Sequence, residues 1–358
     1  MNFICAFSSD RRELYKADIY RVLALPKGHI VHFRYKTKYV DDNLLVDIEK
    51  LLKQKVAIFF THGNSSEGEN NSCQNFSIRY AIITKVEISD VTDVFHIYMK
   101  LSEFCSVDVD SNNSQEKIPP TKFFTRLNCT EKSNDKNWHS RVLAIKDYFP
   151  RITFFHLKEI NDGYQENKIH YQNDGKSCYY NLIHGNRYIL KLSISNPDTS
   201  NTKIEISDSS DEITFNCINP FESSIQFDDH DVPISVKTLQ VFKQASLLRF
   251  KPIQSTTEPG DYDVLGEYST NIELNLELSL KRPLIFGLFS TMAFWAVLMV
   301  RPISDSASWP SCWTLVLATV FFYMASSSLF FGLIKSKESY NKRYHADQLS
   351  VGAPKCPM

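Results

Sequence analysis

Two stretches near the C-terminus limit what this chain can be. Pro283 to Val300 and Trp313 to Ile334 contain no charged residue, and at 1.5 Å per residue they make helices of roughly 27 and 33 Å against a hydrocarbon core of about 30 Å. Neither run has a polar face, so each is expected to cross a membrane rather than to pack as a buried hairpin in a soluble core. Lys281 and Arg282 precede the first run, Arg301 lies in the connecting loop, and Lys335, Lys337, Lys342 and Arg343 follow the second. That bias predicts an inner-membrane protein with both termini cytoplasmic and with Trp309 and Trp313 at the headgroup level of the far side. MNFICAFSSDRRELY has no basic region ahead of its short apolar run, so no signal peptide is expected.

Small residues mark the faces on which the two helices would meet. Gly287 and Thr291 in the first, and Ser328 and Gly332 in the second, are spaced one turn apart, and Ser326, Ser327 and Ser328 are consecutive. Such faces let helices approach closely, either within one hairpin or between hairpins of an oligomer that lines a pore. Consecutive residues point about 100° apart, so the three serines cannot all face one lumen. No acidic or basic residue lies inside either span, which argues against a proton relay or a charge-selective pathway.

The remainder reads as mainly β. There are 25 Phe and 17 Tyr but only 11 Gly in 358 residues, and 40 basic residues balance 41 acidic ones. This composition suits strands and gives no global field toward nucleic acid. The eight cysteines are scattered without a CxxC pair, as in a reduced, cytosol-facing protein. Residues 1–160 are expected to form a small α/β barrel-like sensor or binding domain. It would open with a strand at Asn2 to Phe7 and continue as two strands in YRVLALPKGHIVHFRYKTKYV, joined by a turn at Pro26 and Gly28. DDNLLVDIEKLLKQK, with Leu44, Leu45, Ile48, Leu51 and Leu52 on one face and Asp41 or Asp42 as cap, predicts its one helix. VAIFF, IRYAIITKVEIS and VFHIYMKLSEF predict strands, the last alternating Phe95, Ile97, Met99 and Leu101 with Val94, His96, Tyr98 and Lys100. Thr61 to Asn75 and Val107 to Pro120 read as long surface loops, and Asn161 to Lys176 as the better boundary.

Residues 177–280 show short strands at regular spacing, among them RYILKLSI, KIEIS, EITFNC, SIQF, LQVF, LLRF and NIELNLELSL. They are expected to form an immunoglobulin-like β-sandwich lacking the Cys and Trp signature of antibody domains. Residues 281–335 are the hairpin, and 336–358 a polar, disordered cytoplasmic tail.

The strongest candidate for binding chemistry is VHFRYKTKY. Read as one strand, it lines one face with His32, Arg34, Lys36 and Lys38 and the other with Phe33, Tyr35, Thr37 and Tyr39. Cations beside Tyr35 and Tyr39 suit an anion, a nucleotide or a nucleic acid, or an acidic protein surface. His29 and His32 would point to opposite faces, so no metal site is expected there. No HExxH, GxSxG, P-loop or GxGxxG motif occurs, and the acidic run Ser207 to Glu212 reads as a turn between strands. No catalytic residue, cofactor or metal is assigned, and the chain is not expected to be an enzyme.

Cytosolic β domains followed directly by two membrane helices give a layout similar to that of the two-helix effectors of bacterial anti-phage systems, which permeabilise the membrane of an infected cell. That resemblance covers the last fifth of the chain. It implies hairpins that oligomerise to perturb the bilayer on a signal from a cytosolic protein partner or a nucleic-acid or nucleotide trigger. The alternative is a membrane-tethered scaffold in which the hairpin only anchors.

Overall fold

The computed structural model describes residues 2–63, 74–89, 91–109, 122–132, 136–149, 152–163, 167–173, 178–196, 202–216, 227–237, 245–255, 262–264, 266–277 and 320. The expected hairpin and tail lie outside them, Val320 excepted. Among the described residues no helix is long and apolar enough to cross a membrane.

In chain order the elements are β1 (Asn2–Ser9), α1 (Glu13–Ala24), β2 (Ile30–Lys36), α2 (Asp42–Leu45), β3 (Lys55–His62), β4 (Gln74–Ser89), β5 (Val94–Phe104), β6 (Val107–Val109), β7 (Phe124–Glu131), α3 (Trp138–Ile145), β8 (Phe154–Asp162), β9 (Tyr171–Asn173), β10 (Cys178–Ile183), β11 (Arg187–Ser195), β12 (Thr202–Asp208), β13 (Ile213–Phe215), β14 (Asp228–Val236), β15 (Ala245–Ser255), β16 (Tyr262–Val264) and β17 (Thr270–Glu277). The protein is mainly β, in several sheets, and no sheet closes into a barrel.

The N-terminal strands form an open seven-stranded sheet in the order β2-β5-β4-β3-β1-β7-β6. Its two central strands, β1 and β3, run parallel in the register Ile4↔Val56 to Ser9↔Thr61. A parallel pair needs a crossover, which here includes α1 and β2. Strands covered on both faces are apolar without alternation, as in ICAF of β1 and VAIFF of β3. One face of the sheet holds a cluster of Cys5, Phe7, Ala57, Phe59, Tyr80, Cys105, Val107 and Cys129. The barrel expectation fails because both ends of this strand order remain edges, β2 on one side and β6 on the other.

Two local readings need correction. YRVLA is the second half of α1, not a strand, and Leu25 and Pro26 follow it; Ala17, Tyr20, Leu23 and Ala24 recur at helical spacing and are buried with Ile19 and Val22. The Val-Leu-Ala-Leu run is too short to separate the two periods, and Pro26 ends either element. The helix expected from DDNLLVDIEKLLKQK is broken. Asp41 does cap, accepting from Asn43 N–H at 3.1 Å, but α2 ends after one turn. Asp47 accepts the Lys50 N–H at 3.4 Å and starts a separate 3-10 turn, Ile48–Leu51, leaving Val46 86% exposed. An aspartate within the apolar period competes for main-chain N–H groups and interrupts the helix.

The rest of the chain contributes a four-stranded sheet, β13-β14-β11-β8, and a six-stranded one, β12-β15-β17-β10-β9 with β16 beside β15. Tyr188, Leu190, Leu192 and Ile194 of β11 are all buried, as are Ile272, Leu274 and Leu276 of β17, so both alternations put one face inside. Phe155 of β8 stacks on Phe250 of β15 at 4.7 Å, joining the two sheets. Sequence reasoning missed β14, DDHDVPISV, because its outward aspartates hide the alternating buried residues Val232, Ile234 and Val236. Of SIQF and LQVF only Phe227 lies among the described residues. The acidic run is the β12–β13 turn, where the Asp208 carboxylate accepts from Glu212 N–H at 2.7 Å, Ile213 N–H at 2.9 Å and Ser210 Oγ at 2.9 Å.

The chain divides into two compact units. Met1–Tyr180, Arg187–Ser235 and Leu247–Glu273 form the first, and Asn181–Asn186, Val236–Ser246 and Leu274–Met358 the second. In the second, the turn at Gly185 (φ +80°) is held by Gly185 N–H to Val236 O at 2.9 Å and Val236 N–H to Asn186 O at 3.0 Å. The first is tied internally by α1, whose Tyr20 hydroxyl donates to Thr153 O at 2.8 Å and whose ring lies 5.7 Å from Phe154.

Gly28 is the tight point of this packing. It has φ +95°, and a Cβ built there falls 1.8 Å from the Tyr171 hydroxyl oxygen. Gly28→Ala is expected to lower stability by about 1–3 kcal/mol, measured by chemical denaturation of the full chain in detergent. Adding Tyr171→Ala relieves the clash while the unfavourable φ remains, so the double variant should recover only part of the loss. A Gly28→Ala chain as stable as the parent refutes the argument.

Candidate anion-binding face

β2 is an edge strand that pairs only with β5, in the antiparallel register Ile30↔Lys100, His32↔Tyr98, Arg34↔His96 and Lys36↔Val94. On the other side of β5, Lys85 and Glu87 of β4 lie opposite Tyr98 and His96. Alternation carries Val31, Phe33 and Tyr35 into the core and turns His32, Arg34 and Lys36 to solvent. The outward residues of β5, namely His96, Tyr98 and Lys100, stand beside them, half-buried.

Of the six residues expected to form a binding face, three share it. His32, Arg34 and Lys36 are in one row, but the strand ends at Lys36 and Thr37–Tyr39 turns as a 3-10 helix, which takes Lys38 and Tyr39 out of the row. The turn is held by Thr37, whose N–H and hydroxyl both bond Asp93. Lys38 Nζ instead sits 5.0 Å from the centre of the Tyr39 ring, which is 37% exposed. Tyr35 is a core residue; its hydroxyl donates to Phe7 O at 3.1 Å, its ring stacks on Phe124 at 5.9 Å, and burial pushes its pKa well up. It cannot stack on a ligand. His29, just before β2, is buried against the rings of Tyr171 and Tyr180, on the opposite side from His32. Gly287, Thr291, Ser326, Ser327, Ser328 and Gly332 lie outside the described residues.

The centre of the face is a ladder of three rings. His32 stacks on Tyr98 at 4.4 Å with 6° between planes, while His96 lies beside it edge to edge, ring centres 5.2 Å apart and planes 18° apart. His32 Nε2 and His96 Nδ1 are 3.0 Å apart, a hydrogen bond in which one ring donates and the other accepts. Glu87 pairs with Lys85 at 2.6 Å, and partial burial together with the Glu87 carboxylate raises the Tyr98 pKa. Arg34, Lys36, Lys85 and Lys100 outnumber the carboxylates near the row, Glu87, which pairs with Lys85, Asp18, which interacts with Arg34, and Asp93 beside Thr37.

This geometry selects among ligands. A base-stacking surface presents ring faces to solvent. Here Tyr98 covers one face of His32 and His96 meets its Nε2 edge, so the row offers ring N–H and O–H groups beside guanidinium and ammonium ions. Such an arrangement suits phosphate or carboxylate oxygens better than bases.

Sequence reasoning did not assemble this set, because His96 and Tyr98 reach His32 only through the β2–β5 register. Their outward alternation in VFHIYMKL was the available signal. Nucleophilic chemistry finds no support among the described thiols: Cys5, Cys105, Cys129 and Cys178 are buried. Burial pushes the Cys105 thiol up to about 12, and the Cys5 thiol is raised by its contact with Cys129 and by burial. Among the described residues, no group of three or more His, Cys, Asp or Glu side chains is arranged to hold a metal ion. No family model and no curated protein matches the chain.

Proposed function

We propose that this protein is a membrane-anchored effector whose β-rich part binds a phosphate-bearing ligand on the β2–β5–β4 face and whose two-helix hairpins oligomerise to perturb the inner membrane, in bacterial anti-phage defence. The reading takes residues 177–280 as an immunoglobulin-like sandwich and 281–335 as the hairpin. One observation carries the ligand half: an exposed row of His32, Arg34 and Lys36 beside His96, Tyr98, Lys85 and Lys100. The membrane half rests on the two uncharged apolar runs and the basic residues that flank them.

Arg34→Glu with Lys36→Glu is expected to weaken binding of adenosine triphosphate by about tenfold or more, and to lower the slope of log affinity against log salt by about two. Affinity and salt slope equal to the parent's would overturn the ligand reading. For the membrane half, the full chain is expressed in a bacterial host beside one whose residues 281–335 are exchanged for an unrelated two-helix anchor. Uptake of an impermeant dye after phage challenge by the full chain alone supports the effector. Equal protection by both chains makes the hairpin an anchor and the protein a tethered scaffold.

A further inference from the structure

α1 touches two parts of the protein that are far apart in the chain. It lies against β2, the strand that carries His32, Arg34 and Lys36, and it also meets the 3-10 turn Gly266–Tyr268. Three of its residues hold that turn. The Tyr268 hydroxyl donates to the Glu13 carboxylate, the Tyr20 ring meets the buried Tyr268 ring edge-on at 5.5 Å, and Arg21 Nη2 donates to Glu267 O at 3.0 Å. Arg21 Nε is 3.5 Å from Ser269 O, and its Nη1 donates to Asp18 Oδ1 at 2.8 Å. β17 begins at Thr270, and only Leu278, Ser279 and Leu280 separate its last residue, Glu277, from the expected hairpin at residues 281–335.

Arg21 is thus shared between a carboxylate and the turn. Burial pushes the Asp18 carboxyl up, while the charges of Arg21 and Arg34 act against that rise. Asp18 therefore leans on two cations, one of them in the candidate binding row. A phosphate on Arg34 neutralises that cation and leaves Asp18 with Arg21 alone. The arrangement that then serves a partly buried carboxylate best is both arms of the guanidinium fork, which draws Arg21 off the Glu267 and Ser269 carbonyls.

We propose that α1 couples the anion-binding face to the hairpin: without ligand it clasps the turn before β17, and a phosphate on Arg34 opens the clasp. The inference rests on the ligand and membrane readings above. Arg21 supplies the two discrete arrangements that such coupling needs. Because coupling is reciprocal, a change that weakens the clasp beforehand must tighten the ligand by the same factor.

The test is calorimetric titration of the full chain in detergent with adenosine triphosphate, through a double-mutant cycle. Tyr268→Phe keeps the ring and removes the bond to Glu13 without changing the charge, so it should tighten adenosine triphosphate by about fivefold. In an Asp18→Asn chain, where Arg21 has no carboxylate to turn to, the same change should have no effect. Lys132→Ala, beside Asp108 at the opposite edge of the sheet, is the unchanged control. Circular dichroism identical to the parent's establishes that each variant is folded. Affinity that falls with Arg34→Glu and Lys36→Glu but is unmoved or weakened by Tyr268→Phe overturns the coupling and leaves the anion reading standing. An equal response to Tyr268→Phe in the Asp18→Asn chain does the same. Affinity indifferent to the charge reversals overturns the anion reading and the coupling with it. In cells, the Tyr268→Phe chain is expected to admit the impermeant dye without phage challenge. If the parent admits dye after challenge and the Tyr268→Phe chain stays sealed before it, the link from clasp to hairpin is overturned. A parent that stays sealed throughout overturns the effector reading and the hairpin half of this inference, while the affinity cycle still decides the clasp.

Discussion

Arg79→Ala is expected to lower folding stability by about 3–5 kcal/mol, the scale for leaving buried polar groups without their charged partner. Arg79 is 1% exposed. Its Nε donates to Ser102 O at 2.6 Å, and its Nη1 to Val22 O at 3.0 Å and Leu25 O at 2.6 Å, while the guanidinium carbon lies 4.3 Å from the centre of the Phe104 ring. Val22 and Leu25 belong to the C-terminal end of α1, where carbonyls lack intrahelical partners and carry the negative end of the helix dipole. One buried cation therefore fastens α1 to β4 and β5, and burial pushes its pKa down to about 9. Alanine leaves three carbonyls unsatisfied and a void under Phe104. Arg79→Lys keeps the charge but loses the fork, so it should recover only part of the loss. Guanidinium denaturation of the full chain in detergent measures both, and a cost for alanine under about 1 kcal/mol would sink this account.

Acid weakens the same region. Burial, and after it the charge of Arg79, pushes both His29 and His156 down to about 3 from an ordinary 6.5. The His156 ring packs against Trp138 at 6.0 Å and Phe104 at 5.2 Å. Because the folded values lie below the unfolded one, the unfolded chain binds more protons between pH 6.5 and about 3. The stability from these neutral imidazoles is thus complete above pH 6.5 and lost as pH falls below it. The limiting slope is about 1.4 kcal/mol per pH unit for each histidine, so together they should remove about 4 kcal/mol by about pH 5. Denaturation midpoints measured across this range check the slope, and His29→Asn should roughly halve it. Stability that is flat from neutral pH down to about pH 4 would show that neither histidine titrates on unfolding.

Residue order alone reached those features whose signal is local. Alternation over five or more residues placed β5, β11 and β17 near their observed spans, because a strand with one buried face must repeat with period two, and unbroken apolar runs placed β1 and β3. The row His32, Arg34 and Lys36 was legible for the same reason, up to the residue where the strand turns. The two apolar runs near the C-terminus, and the charges beside them, are likewise properties of the sequence itself.

Only the tertiary structure decided the rest. YRVLA became helix because Ala17, Tyr20, Leu23 and Ala24 found a core to bury in, which no short window contains. Tyr35 left the candidate site because a main-chain carbonyl, Phe7 O, lay within reach of its hydroxyl. His96, 64 residues beyond His32, joined the site through strand register, and Arg79, a charged residue in a run read as strand, became the fastening of α1. In each case the deciding contact joins residues far apart in the chain, and its free energy depends on a neighbour that residue order does not name.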